Sequence, residues 1–245
     1  MNRVLTREIL DDLDVDDVDA IRSRRDLQRV HRAMGTRSIV LRALGGMHAL
    51  RNSTRPLRVL ELGAGDGSLM LGVAQELAPH WPPVRLTLLD AQPLVPQSTI
   101  ERFAELGWTA HSTVMDVFDW ARDTHGPASD KPKEEHWDLI IANLFLHHFE
   151  KQQLAGLLRT IAARGDRFLA CEPRRAWFAL LGSHLVGAIG ANAVTRGDAV
   201  LSVRAGFRDT ELTAIWPDVG TQWRVNEYPA GPFSHCVVAE PVDAL

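Results

Sequence analysis

The stretch VLELGAGDGSL, residues 59–69, decides the fold of this chain. An apolar run that carries one acid, Glu61, passes directly into three glycines at alternate positions, Gly63, Gly65 and Gly67. Such a pattern is typical of a buried strand that turns tightly into a helix. Glycine permits positive φ and a close approach of the backbone to a ligand, and the helix start offers free N–H groups to an anion. The stretch therefore predicts a ligand cradle at the end of a strand.

Strand-like and helical patterns alternate on the C-terminal side of this stretch. The alternation predicts an α/β fold with a doubly wound, mostly parallel, seven-stranded Rossmann-like sheet. The last two strand-like runs, TQWRVNEY and FSHCVVAE, are separated only by PAGP, so they predict a C-terminal antiparallel hairpin. The predicted strands cover residues 57–62, 84–90, 111–116, 137–143, 167–172, 221–228 and 233–240.

The composition excludes several classes of protein. The 245 residues have a formal net charge of −4, which gives no overall positive field for nucleic acid. The two cysteines, Cys171 and Cys236, have no metal-type spacing and make no disulfide framework. Neither a signal peptide nor an apolar run of about 18 residues is evident. We therefore expect a cytoplasmic protein with no membrane span and no nucleic-acid partner.

Two parts of the chain are expected from its organisation. Residues 1–54 read as an N-terminal helical cap, and residues 55–245 as a cofactor-binding core with a helical lid insertion at about 174–207. Residues 177–190 of the insertion are apolar at helical spacing, which fits either the wall of an apolar substrate pocket or a helix packed on the core.

An acidic block near the N-terminus has the aspartate-rich composition of a calcium-binding loop. Residues 11–19 hold six aspartates. An EF-hand loop that begins at Asp12 needs a glycine and a glutamate where this chain has Asp17 and Ser23. We therefore interpret the acids as residues at a helix start, where they complement the helix dipole.

Two classes of cofactor compete for the glycine loop. A dinucleotide loop reads G-x-G-x-x-G, but here Ser68 stands at the third glycine position and Gly67 comes one residue early. The spacing G-x-G-x-G, with Glu61 two residues before the first glycine, resembles the first motif of class I S-adenosylmethionine (SAM)-dependent methyltransferases. Asp90 ends the second strand, and an acid there can accept both hydroxyls of a ribose in either class.

The resemblance covers roughly residues 55–240. It includes WDLIIANLFLHHF, which is similar to the fourth motif of the family, and the C-terminal hairpin. The chain looks most like small-molecule methyltransferases of the ubiquinone/menaquinone-biosynthesis type. The resemblance implies SAM as the cofactor, with the glycine loop at its methionine portion, Asp90 at the ribose and Asp116 at the adenine. The implied cofactor-binding residues are Glu61, Gly63, Ala64, Gly65, Gly67, Asp90, Ala91, Asp116, Val117 and Asn143.

The catalytic candidates follow the fourth and fifth predicted strands. Methyl transfer needs an aligned acceptor, and a base helps where the acceptor is a phenol, a hydroxyl or an enol carbon. Of His147 and His148 we favour His147 as base or orienter, with packing or capping of the next helix as the alternative. Glu172 ends the fifth strand and could hold or deprotonate a substrate. Some quinone-pathway relatives bind a metal through acids in this turn, but Leu144 and His147 occupy those positions here, so we expect no metal.

Four basic residues are weaker candidates. Arg174 and Arg175 could bind a carboxylate or phosphate of the substrate, or form a solvated helix start. His31 and Arg37 could meet the carboxylate of the cofactor, or lie on the surface.

The sequence therefore predicts SAM-dependent methyl transfer to a small, partly apolar acceptor such as a phenol, a quinol or a polyketide-like molecule. A nicotinamide-dependent oxidoreductase and a non-catalytic SAM-binding partner subunit are the alternatives. A homodimer is compatible with the sequence, which does not fix the oligomeric state.

Overall fold

The computed structural model describes residues 1–122, 136–218 and 223–242. The segment RDTHGPASDKPKEEH, residues 122–136, has the composition of a surface loop, and most of it lies outside these ranges. Seven strands form one sheet: β1 Leu57–Leu62, β2 Val84–Asp90, β3 Thr109–Val114, β4 Leu139–Asn143, β5 Phe168–Pro173, β6 Trp223–Ala230 and β7 Ser234–Pro241. The α-helices are α1 Val18–Met34, α2 Thr36–Gly45, α3 His48–Arg51, α4 Ser68–Leu77, α5 Gln97–Glu105, α6 Val117–Arg122, α7 Lys151–Arg164, α8 Trp177–His184 and α9 Ala193–Ala205.

The sheet confirms the predicted fold class. Its strand order is β3-β2-β1-β4-β5-β7-β6. Neighbouring strands from β3 to β5 are parallel, whereas β7 runs antiparallel to both β5 and β6. The order reverses beside β1, and a doubly wound sheet binds its ligand at such a switch point, beyond the carboxyl ends of the strands.

Two apolar layers hold the sheet between its helices. On one face, Val59 and Leu86 pack with Met70 of α4 and Phe103 of α5. On the other face, Leu60 and Ile140 pack with Leu158 of α7 and other buried residues. All five residues of β4 are buried, because helices cover this apolar strand on both faces of the sheet.

The start of the third strand and the helix after it differ from the sequence prediction. The strand was predicted over 111–116 but spans Thr109–Val114. The carboxylate of Asp116 accepts hydrogen bonds from the backbone N–H groups of Phe118, at 2.8 Å, and Asp119, at 3.3 Å. Asp116 therefore belongs to the start of α6 rather than to the strand.

The N-terminal region, predicted as a helical cap, contains α1, α2 and α3. Asp17 caps α1 by accepting from the backbone N–H groups of Asp19 and Ala20. Gly35, at φ +68°, ends α1 and lets α2 begin directly after it. The buried Asp26 of α1 accepts a hydrogen bond from the backbone N–H of Asn192, which fixes α1 against α9.

An N-terminal arm, residues 3–12, ends in a short 3-10 helix at Leu10–Asp12 and contacts α9 and the turn after β4. The backbone N–H groups of Ile9 and Leu10 donate to the carboxylate of Asp198 on α9, at 2.8 and 3.0 Å. Arg3 donates to the carbonyl oxygens of His147 and Phe149, just after β4. Within the described ranges, none of the helices combines the length and the apolar character that crossing a membrane requires.

Candidate active site

The glycine loop lies between β1 and α4 at the switch point of the sheet. The backbone N–H groups of Gly63 and Ala64 both donate to the carbonyl of Leu89, at 2.9 and 3.0 Å, and this fixes the loop against β2. The loop glycines Gly63, Gly65 and Gly67 all have positive φ, between +56° and +72°. The loop is thus built from a conformation that residues with a Cβ rarely adopt.

Two of these glycines have different surroundings. A Cβ on Gly63 would lie 2.3 Å from Cδ2 of Phe145, so the phenyl ring occupies the space that a side chain would need. No described atom lies within 4 Å of the corresponding position on Gly65. The loop is therefore packed at its first glycine and open at its second, as a cradle for a ligand requires.

Asp90 lies beside the open glycine. Its Oδ2 accepts from the backbone N–H of Gly65 at 2.8 Å, and its Oδ1 accepts from the backbone N–H of Gln92 at 2.9 Å. Burial raises the pKa of Asp90, and these backbone hydrogen bonds counteract the rise. Each oxygen keeps a second lone pair, so the carboxylate can also accept from ligand hydroxyls.

Two buried polar side chains end neighbouring strands without complete hydrogen bonding. Among the described residues, Oε2 of Glu61 and Oδ1 of Asn143 find no hydrogen-bond partner. Burial, together with the charges of Asp66 and Asp90, raises the pKa of Glu61 well above its usual value. Buried oxygens without partners are costly, so they indicate a place where ligand N–H or O–H groups bind. The polar groups and the open cradle fit a cofactor such as SAM.

The remaining predicted cofactor residues follow β2 and β3 and differ in burial. Ala91 is exposed at the end of β2, and Val117 is buried in the first turn of α6. Asp116 is exposed, and one of its oxygens caps α6. Gln28 of α1 donates to Asp66 of the glycine loop at 2.6 Å, so α1 lies directly beside the loop.

A buried carboxylate organises the turn after β4. Glu172, at the end of β5, is fully buried and accepts from the backbone N–H groups of Phe145, Leu146 and His147 at 3.0, 2.9 and 3.3 Å. Its Oε2 also lies 2.8 Å from Nδ1 of His147. Both oxygens of the Glu172 carboxylate are hydrogen-bonded within the turn. Glu172 therefore orients His147 and does not contact a substrate in this arrangement.

Glu8 of the N-terminal arm contacts the other ring nitrogen of His147. Its Oε1 lies 3.3 Å from Nε2 of His147 and also accepts from the hydroxyl of Ser202. Burial alone would lower the pKa of His147, but the hydrogen bonds and charges of Glu172 and Glu8 outweigh it and raise the pKa to about 9. With both nitrogens facing carboxylates, the ring is an imidazolium at neutral pH and donates hydrogen bonds instead of accepting a proton.

His148 also meets an acid of the arm. Its Nδ1 lies 3.2 Å from Oδ2 of Asp11, and its side chain is 24% exposed. The contacts of Glu8 and Asp11 with the histidines were not predicted, because these acids lie about 140 residues before the histidines in the sequence. The acid-rich N-terminus was a signal that could have found them, but it was interpreted only as a helix start.

The basic candidates have structural contacts. Arg175 is buried and donates to the carbonyl of Gly206, at 2.6 Å, and to the carboxylate of Glu211. Arg174 lies over the ring of Phe178, 5.0 Å from its centroid. Arg37 forms an exposed ion pair with Glu76.

Comparison with known proteins finds a family match for the central segment. Residues 60–164 match the sequence profile of a family described as "Methyltransferase domain". This segment contains the glycine loop, Asp90, Asp116 and both histidines of the turn.

Residues 60–164 are thus similar to a methyltransferase domain.

Solved methyltransferases share the fold of the chain. The plantazolicin methyltransferase BpumL, in complex with S-adenosylhomocysteine (SAH), is 12% identical with a TM-score of 0.59, covering 92% of this chain and 91% of its own. The SAM-dependent methyltransferase SibL is 19% identical with a TM-score of 0.57, covering 97% of this chain and 63% of its own. Magnesium protoporphyrin IX methyltransferase from Synechocystis PCC 6803, with bound SAM, is 16% identical with a TM-score of 0.50, covering 94% and 87%. No curated protein sequence matches the chain.

These likenesses bear on the fold as a whole. The domain and the fold support an enzyme of the SAM-dependent methyltransferase type, with SAM as its cofactor. The structure brings Glu61, Gly65, Asp90 and Asn143 to one edge of the sheet, as expected for residues around one ligand.

Proposed function

We propose that the chain transfers the methyl group of SAM to a small, partly apolar acceptor, such as a phenol, a quinol or a polyketide-like molecule. SAM supplies an electrophilic methyl group on a sulfonium. The observation that carries the proposal is the cradle at the switch point. There the open Gly65 is hydrogen-bonded to the half-buried Asp90, and two buried oxygens without partners, on Glu61 and Asn143, lie at the carboxyl ends of the adjacent strands β1 and β4.

Each residue around the cradle has a proposed part in holding the cofactor. The backbone of Gly63, Ala64, Gly65 and Gly67 passes the methionine portion, and Asp90 accepts from the ribose hydroxyls, with Ala91 beside it. Glu61 and Asn143 supply the buried oxygens for the N–H donors of the ligand. Asp116 accepts from the adenine amino group through its exposed oxygen, and the backbone of Val117 contacts the ring.

The acceptor side is formed by the turn after β4. We propose that the Glu172 carboxylate fixes the ring of His147, that His147 orients the turn, and that the more exposed His148 positions the acceptor through a hydrogen bond. Aromatic rings flank this turn: Phe145 packs edge-on against Phe149, with centroids 5.0 Å apart, and Phe149 packs edge-on against Phe118 at 5.1 Å. Such surroundings suit a molecule with an apolar body and one polar group.

Two further parts of the chain complete the proposal. Residues 1–54 act as a helical cap beside the glycine loop, which the Gln28–Asp66 contact supports. Residues 174–207 act as a lid, in which Trp177, Leu181 and Leu185 of the helical segment present exposed apolar side chains. The solved neighbours include enzymes named for plantazolicin and for magnesium protoporphyrin IX.

The test is calorimetric titration of the full chain with SAH, and with NADH in parallel. Binding of SAH with no binding of NADH supports the proposal, and binding of NADH in its place overturns it in favour of an oxidoreductase. Transfer of a labelled methyl group from SAM is then followed across a panel of phenols, quinols and polyketide-like acceptors. SAH binding without transfer to any acceptor would favour a non-catalytic SAM-binding subunit. Light scattering of the same sample decides between a monomer and a homodimer.

A further inference from the structure

Three side chains with metal-binding chemistry meet between the N-terminal arm and the turn after β4. Glu8, His147 and His148 each offer one ligand atom, and these atoms all lie within 4.8 Å of one another. Nε2 of His147 and Oε1 of Glu8 are 3.3 Å apart. This distance equals the edge of a tetrahedron whose ligand bonds are about 2.0–2.1 Å long, the length of Zn–N and Zn–O bonds in proteins.

A carboxylate lies behind each imidazole. Oε2 of Glu172 is 2.8 Å from Nδ1 of His147, and Oδ2 of Asp11 is 3.2 Å from Nδ1 of His148. A histidine that binds a metal usually donates its other ring N–H to a carboxylate or a carbonyl, which fixes the tautomer and the ring orientation. Because Nδ1 of His147 pairs with Glu172, Nε2 faces Glu8 and is the nitrogen that could bind a metal ion together with it.

The charge of the cluster favours a cation. Glu8, Asp11 and Glu172 bring three carboxylates within hydrogen-bonding distance of two imidazoles. The side chains of Glu8 and Glu172 are only 13% and 0% exposed, so water screens them weakly. A divalent ion would replace the proton on Nε2 of His147 and, with its two charges, would offset more of this negative charge than the proton does.

We propose that Glu8, His147 and His148 bind one divalent ion of the zinc class and thereby fasten the N-terminal arm to the turn after β4. Two imidazoles and one carboxylate form a donor set that zinc takes in proteins. No metal was expected from the turn by itself, because Leu144 and His147 occupy the positions at which some quinone-pathway methyltransferases have metal-binding acids. The structure adds a donor from the arm, 139 residues away, so this ligand set is not the one that the argument excluded.

The test uses the full chain, freed of metal with a chelator and dialysed. Calorimetric titration with Zn²⁺ is expected to show about one ion per chain, and titration with Co²⁺ is expected to give visible d–d absorption of a four- or five-coordinate ion. The substitutions Glu8→Gln and His148→Gln are each expected to weaken Zn²⁺ binding more than tenfold, since even an outer carboxylate is worth about 10–100-fold. Asp11→Asn is expected to fall within that range.

The matched control is His136→Gln. His136 also pairs with a carboxylate, Asp166, at 2.7 Å, but among the described residues no third histidine, cysteine or acid completes a metal-binding group with this pair. This variant is expected to bind Zn²⁺ as the wild type does. Circular dichroism and SAH titration of Glu8→Gln without metal check that the variant folds and keep this test separate from the proposed function.

Two results would overturn the proposal. The first is a wild-type chain that binds neither Zn²⁺ nor Co²⁺ at one ion per chain, whatever its affinity for SAH. The second is Zn²⁺ binding that stays unchanged in both Glu8→Gln and His148→Gln. A rise of the wild-type melting temperature with Zn²⁺ that disappears in Glu8→Gln would support it, because a ligand of the folded state stabilises that state.

Discussion

The Oδ2 atom of Asp90 accepts a hydrogen bond from the backbone N–H of Gly65 at 2.8 Å, joining the end of β2 to the middle of the glycine loop. The same carboxylate accepts from the N–H of Gln92 through its other oxygen. Asp90 thus fixes the loop to β2, and each of its oxygens keeps a lone pair that can accept from a ligand hydroxyl.

Replacing Asp90 by Ala should weaken SAH binding. We expect a loss of about 1–3 kcal/mol, the usual cost of leaving a buried hydrogen-bonding group without its partner. The matched control is Asp166→Ala, which removes an acid that pairs with His136 away from the glycine loop. Calorimetric titration of both variants with SAH checks the prediction. Equal affinity in Asp90→Ala and the wild type would remove Asp90 from the cofactor site.

Alanine at Gly63 should destabilise the chain more than alanine at Gly65. Both positions have φ near +60°, which costs a residue with a Cβ about 1–2 kcal/mol. At Gly63 the new Cβ would also lie 2.3 Å from Phe145, whereas the space at Gly65 is open. Urea unfolding should therefore give a lower stability for Gly63→Ala, while Gly65→Ala should mainly weaken SAH binding.

A double substitution separates the two costs at Gly63. In Gly63→Ala/Phe145→Ala the steric conflict is removed, so the backbone cost at position 63 and the lost packing of Phe145 remain. We expect the two substitutions to be less damaging together than their separate effects predict. Additive losses of unfolding free energy would contradict the assignment of Phe145 as the conflicting side chain.

Local patterns in the sequence predicted most of the fold. Alternating strands and helices indicated the doubly wound sheet, and the short PAGP connection indicated the antiparallel hairpin. Both signals depend on neighbours in the chain, so one sequence carries them. The third strand was displaced because Asp116 was counted as a strand residue, although its carboxylate caps α6.

Contacts between distant residues were not predictable in the same way. Glu8 meets His147 across 139 residues, and no local pattern specifies that pair. Glu172 was found as a candidate from its place at a strand end, but its contacts with three backbone N–H groups depend on the path of the turn. The sequence thus indicated which residues lie at the edge of the sheet, and only the structure indicated how they pair.

Arg175 should contribute to stability and not to acceptor recognition. It is buried, and its guanidinium donates to the carbonyls of Met1 and Gly206 and to Glu211. Removing one partner of a buried ion pair costs about 3–5 kcal/mol, so Arg175→Ala should strongly lower the free energy of unfolding. Urea unfolding measures this loss.

The neighbouring Arg174 provides the matched control. Its exposed guanidinium donates to the carbonyl of Gly231 at 3.3 Å and lies over the ring of Phe178. Arg174→Ala should cost about 1 kcal/mol or less, as exposed contacts do. Similar losses for the two variants would show that Arg175 is not the buried anchor of this segment.

His31 should make the chain less stable in acid. Burial lowers the pKa of His31 from 6.5 to about 4, and the charge of Asp66 only partly counteracts this. Below about pH 6.5 the unfolded chain binds a proton at His31 that the folded chain does not, so unfolding becomes more favourable as the pH falls towards 4. The loss attributable to His31 should reach about 1–3 kcal/mol, since one pKa unit corresponds to about 1.4 kcal/mol. Urea unfolding at about pH 7 and pH 4.5 measures it.

His31→Gln should flatten this part of the pH dependence of stability, whereas His80→Gln, at an exposed site after α4, should keep the wild-type slope. Parallel slopes for His31→Gln and the wild type would mean that His31 titrates alike in the folded and unfolded chains.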